Sequence, residues 1–166
     1  MNRFLFLFLL CYGVKASAQS FEVPKNYSFS KQTNYAQYEA DIIKATDWLQ
    51  RTPWTAEPEK REAVTQFLLK WAQGVPYITV ELKQPIMDIS DANPQLGFIY
   101  MGKYCKYAIE HKADFNPLKA TAYALRAVAA KYKTEPVRKT DDDVQHIIAL
   151  DEKGELEAWI ANDFGL

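Results

Sequence analysis

Residues 97–111 read GFIYMGKYCKYAIEH, and the fold turns on whether this stretch is one helix. Phe98, Met101, Cys105, Ala108 and Ile109 recur at helical spacing, the pattern of a helix that buries one face. Tyr100, Tyr104, Tyr107 and His111 fall on another face, within roughly 60° of the circumference at ~100° per residue. An aromatic stripe of this kind either packs under neighbouring elements with its hydroxyls reaching water, or lines a groove for a partner. These four are the candidate binding residues. Cys105 and His111 lie about 120° apart around the helix, so they cannot form a nucleophile and base pair within it. Cys105 reads as a small apolar core residue.

The neighbours of this segment have clear boundaries. Asn93-Pro94 and Asn116-Pro117 each pair a capping residue with a proline suited to the first helical position. They open expected helices over 94–112 and 117–133, and the short loop between them makes the two antiparallel. The later helix carries Leu118, Ala122, Leu125, Ala129 and Tyr132 on one side and Ala120, Ala124 and Ala127 on the other, which suits an interior position.

Upstream, Tyr35, Tyr38, Ile42, Ala45 and Leu49 form the stripe of a helix expected from Tyr35, capped by Asn34, to a stop before Pro53. A second helix is expected over 57–73, with Pro58 in its first turn, acidic Glu57, Glu59 and Glu62 early, and Gly74 at its end. Residues 75–92, VPYITVELKQPIMDISDA, alternate Tyr77, Thr79 and Glu81 against Ile78, Val80 and Leu82. A single strand cannot satisfy its own backbone, so an extended or partly helical linker is expected there.

Downstream, Thr140 and Asp143 have capping-box spacing ahead of Val144, Ile147, Ile148 and Leu150. The last segment reads as a short helix using Leu156, Trp159 and Ile160, with a hairpin about Gly154 as the alternative. The fold class is therefore all-α: a single irregular or orthogonal bundle of five to six helices after a cleaved leader.

That leader is expected over residues 1–18. Arg3, the apolar run from Phe4 to Leu10 and Ala16-Ser17-Ala18 match a signal peptide cleaved near Ala18, with residues 19–34 an extended lead-in and 35–166 the helical domain. Localisation is expected to be periplasmic or extracellular. Leu10 before Cys11 argues against lipidation of that cysteine, and loss of the leader leaves Cys105 alone. No permanent membrane insertion is expected, because the leader run is too short to span a bilayer.

The 166 residues carry 20 Lys and Arg against 21 Asp and Glu, a formal net charge of -1. No basic face emerges, so nucleic acid is not an expected partner. Two histidines, and an acidic run at Asp141, Asp142 and Asp143 without a central glycine, point to no metal site and no cofactor. Phosphate-loop, nucleophile-elbow and zinc-protease motifs are absent.

The functional expectation is an exported non-catalytic binding or structural domain, recognising another cell-envelope protein, a peptide or a glycan. The alternative is a small cell-envelope hydrolase using a thiol or carboxylates, drawn from Cys105, Asp88, Asp91 or Glu110, with His111 or His146 as partner.

Overall fold

The computed structural model describes residues 20–163. The expected leader, its cleavage near Ala18 and the fate of Cys11 lie outside the described residues. Eight helices are present among those described: α1 (Gln32–Gln37), α2 (Glu39–Arg51), α3 (Pro58–Gly74), α4 (Gln84–Asp91), α5 (Gln95–Glu110), α6 (Pro117–Thr134), α7 (Asp142–Lys153) and α8 (Leu156–Asp163). The all-α bundle expected from the periodicity is present, but with eight distinct helices rather than five to six. No described helix is long and apolar enough to cross a membrane.

The stretch around Cys105 is a single unbroken helix, α5, and it is the centre of the bundle. It packs against α2, α3, α4 and α6, while α7 and α8 cover the far side of α6. Nine of its residues are buried, from Leu96 to Ala108, and they include Gly102. A Cβ built on Gly102 would lie 2.8 Å from Oγ1 of Thr46 on α2 and 3.0 Å from Cδ2 of Leu68 on α3. The missing side chain therefore lets two helices cross α5 at one level.

Each of the two extra helices has an identifiable cause. The expected helix from Tyr35 is broken at Tyr38 (φ -98°, ψ 1°), which separates α1 from α2. The carbonyl of Tyr35 accepts the indole N–H of Trp71 at 3.0 Å and the N–H of Tyr38 at 3.2 Å. That oxygen is thus drawn out of a continuous ladder by a tertiary contact. Phe29 of the lead-in holds both rings, stacked on Tyr35 at 5.2 Å and edge-on to Tyr38 at 5.4 Å. The second extra helix, α4, occupies the latter half of the expected linker, with Pro85 in its first turn and Ile86 and Ile89 buried.

Several caps differ from expectation. Asn116 does accept the N–H of Lys119, at 3.0 Å. Asn93 instead grips the segment before α7: its amide donates to the carbonyl of Lys139 at 3.0 Å and its Oδ1 accepts the Lys139 N–H at 2.8 Å. At α7 the capping residue is Asp141, whose Oδ1 accepts the N–H of Val144 at 3.1 Å, one position later than Thr140. Asn34 does not cap α1; its amide donates to the carbonyl of Ser28 at 3.1 Å.

Two polar clusters tie helices together. Asp47 of α2 accepts from Lys103 at 2.9 Å and from Lys106 at 2.6 Å, both on α5. Burial raises the Asp47 pKa, but the two lysines outweigh this and hold it below the ordinary carboxylate range. Deeper in, Lys131 and Glu135 of the α6 end form an ion pair in which both residues are only 2% exposed. Lys131 also donates to the carbonyl of Thr52 at 2.7 Å, and Glu135 accepts the N–H of Trp54 at 3.1 Å. The pair thereby satisfies the turn between α2 and α3 as well as itself.

Replacing Lys131 with methionine leaves Glu135 buried without its cation, and chemical denaturation should report a loss of about 3–5 kcal/mol. Adding Glu135→Leu should cost less than the sum of the two single changes, because no unpaired charge remains. The Asp47 carboxylate has a depressed native pKa, so its contribution is full above the unfolded value near 3.8 and disappears as pH falls through the native one. Asp47→Asn should therefore destabilise by about 1–2 kcal/mol at pH 7. Denaturation at pH values below 3.8 should show that difference shrinking.

Candidate functional site

A cleft with a volume of 670 Å³ opens beside α5. Its floor is the ridge Tyr100, Tyr104 and Ala108, which the four-residue helical repeat stacks in one row. Phe115, from the loop between α5 and α6, and Thr121 of α6 close one side. Residues 75–83, the connector between α3 and α4, run along the other as a strap that contributes Tyr77, Ile78, Thr79, Glu81 and Lys83. Glu39, at the start of α2, and Lys112 stand at the rim.

The rim is tied by one carboxylate. Glu39 accepts the Tyr77 hydroxyl on one oxygen at 2.7 Å and the Lys112 ammonium on the other at 2.6 Å. Lys112 also sits 5.7 Å from the centre of the Tyr77 ring. This junction fastens the strap to α2 and to the end of α5. Glu81 pairs with Lys83 at 3.3 Å along the strap.

The phenols are kept neutral. Burial pushes Tyr100 up to about 12, against an opposing hydrogen bond with Thr121. Burial also raises Tyr104 and Tyr77; the Glu81 carboxylate adds to it at Tyr104, and the Glu39 hydrogen bond adds to it at Tyr77. At neutral pH these hydroxyls are hydrogen-bond donors rather than bases.

The four residues of the expected stripe are divided by the structure. Tyr100 and Tyr104 are 1% and 6% exposed, yet their edges line the cleft. Tyr107 and His111 lie outside it: their rings stack at 3.9 Å and 9°, and Tyr107 approaches Tyr123 of α6 at 5.7 Å. Phe115 stands between the two halves, edge-on to Tyr104 at 6.0 Å and to Tyr107 at 6.4 Å. Its wedge converts a continuous stripe into a floor and a separate stack.

The catalytic alternatives are dispersed. Cys105 is fully buried, and burial alone pushes its thiol up to about 12. His146 turns edge-on to Trp159 at 5.9 Å, on α7 and α8. Asp88 accepts from Gln84 within α4 at 2.6 Å, and Glu110 lies 3.8 Å from Lys106 on α5. Among the described residues no group of three or more His, Cys, Asp or Glu is placed to hold a metal ion.

Glu39, Thr79, Glu81, Lys83, Lys112, Phe115 and Thr121 were not signalled as site residues by sequence periodicity. The usable signal was the alternation over 77–82, which places Thr79 and Glu81 on one side of the strap. No family model, curated protein or solved structure matches this chain.

Thiol labelling checks the burial of Cys105. In a chain starting at Gln19, a disulfide reagent should modify the native protein only as fast as the fold opens, and at once in denaturant.

Proposed function

We propose that this chain is an exported binding domain, and that the cleft beside α5 is its ligand site. The observation that supports the reading is the cleft itself: a 670 Å³ basin with an aromatic floor, to which Tyr100, Tyr104, Thr79, Glu81, Lys83 and Thr121 bring polar groups, with Glu39, Tyr77 and Lys112 at the rim. Concave, mainly apolar sites with a small set of directed polar groups are where proteins hold small ligands and chain segments. The charged N-terminal leader pattern supports export, and with it a ligand from the cell envelope: a peptide, a glycan or another protein.

Binding fits this chemistry better than hydrolysis does. The phenols are held protonated, the Glu39 oxygens are both occupied, and Cys105 is sealed below the floor. A thiolate or carboxylate nucleophile would first have to be freed from these arrangements.

The test is thermal unfolding in the presence of a panel of short peptides and oligosaccharides. A true ligand at about 100 times its Kd adds about 2.7 kcal/mol and raises Tm. It should do so for the wild type and not for Ala108→Trp, which fills the basin, or for Phe115→Ala, which removes one half-exposed wall. A panel that shifts all three proteins equally, or none of them, overturns the reading.

A further inference from the structure

Residues 78–83 of the strap have neither helix nor turn. Val75 (φ -62°, ψ 123°) and Lys83 (φ -73°, ψ 164°) mark its two ends with extended backbone. The backbones of Thr79, Val80, Glu81 and Leu82 make no backbone hydrogen bond among the described residues. Their side chains alternate as in a strand: Thr79, Glu81 and Lys83 line the aromatic cleft, whereas Leu82 lines a second apolar groove of 290 Å³ with Ile86 and Phe98. In a molecule built from helices, this segment lacks regular secondary structure, while its side chains alternate like those of a strand.

Such a segment is held in place from its ends and its underside. Val75 and Ile78 are buried, Val80 packs against the core, and Tyr77 is bound to Glu39. Its donors and acceptors are therefore presented in a fixed, extended spacing beside a basin that accepts large apolar groups. Ligands that offer a matching row of N–H and C=O groups, with side chains projecting alternately, are extended polypeptides.

On the premise that the cleft is the ligand site, we infer that its occupant is an extended peptide that adds as a strand to residues 79–82. Every second peptide side chain then descends to the floor of Tyr104, Ala108 and Phe115, which selects a large aliphatic or aromatic residue. The exposed carboxylate of Glu81 contributes a charge contact at the rim. Affinity comes from the backbone ladder and selectivity from the basin.

The experiment begins with a displayed library of linear heptapeptides, panned on the protein from Gln19 onward. The best peptide is then synthesised with a fluorophore for anisotropy titration. In a strand, backbone groups of alternate residues face opposite edges. Thr79→Pro and Leu82→Pro, both at exposed positions outside the helices, therefore remove donors from opposite edges. One of the two should weaken the peptide at least about tenfold and the other by less than about threefold.

Amide hydrogen exchange on the wild type gives a second readout that needs no variant. The amides of 79–82 should exchange rapidly in the free protein, and alternate ones should slow when the peptide is bound. If both proline variants bind like the wild type, or no amide in 79–82 slows, the strand addition is overturned. If no linear peptide binds but an oligosaccharide shifts the wild type and not Ala108→Trp, strand addition also falls while the cleft keeps its role. Binding of neither removes both.

Discussion

At Gly102 three helices meet at the distance that only a hydrogen side chain permits, with Thr46 of α2 and Leu68 of α3 pressed against one turn of α5. Once α2 is fixed at this level, Asp47, the next residue, lies within reach of Lys103 and Lys106 on the same helix that Thr46 touches. Once α3 is fixed there too, Trp71, one turn further on, can reach the carbonyl of Tyr35 and break the chain into α1 and α2. With α4 and α6 added, most of the circumference of α5 is covered by helices. The flank bearing Tyr100, Tyr104 and Ala108 is partly covered by a connector instead, and a connector leaves the space that becomes the cleft. A β-carbon at Gly102 would push α2 or α3 outward, and interiors packed at crystal-like density have no slack to absorb that.

Polar groups do at the ends of the bundle what apolar packing does in the middle. The buried Lys131 and Glu135 pair closes the turn between α2 and α3, and Asn93 holds the segment leading into α7 through both faces of its amide. The bonds from Lys131 to Thr52, from Trp54 to Glu135 and between Asn93 and Lys139 join residues far apart in the chain and satisfy backbone groups that would otherwise be buried without partners. They give the loops a single geometry, which hydrophobic burial alone does not specify.

The parts of the fold legible in the chain are those whose cause is local. α3, α5 and α6 announce themselves through the period of their apolar residues, and Asn116 through its place before Pro117. What escaped has a cause elsewhere in the sequence. The break at Tyr38 depends on Trp71, the reassignment of Asn93 depends on Lys139, and α4 is too short for its two isoleucines to establish a period. The site was half legible for the same reason. Helical spacing puts Tyr100, Tyr104, Tyr107 and His111 on one face, but the partition between cleft and stack is made by Phe115, which returns across that face after the helix has ended. Glu39, Glu81 and Lys112 come from three different elements, and nothing in their neighbourhoods in the chain links them.

The strap also bears on how copies of this protein behave toward one another. An uncovered strand is a template on which an identical strand can zip, the first step toward fibrous clumping. Here the run is bracketed by Pro76 and Pro85, and it ends in opposite charges at Glu81 and Lys83, one residue apart. Proline halts propagation and charge keeps the run hydrated, so these residues act as gatekeepers. The segment can thus leave its backbone unpaired while resisting polymerisation with its own kind.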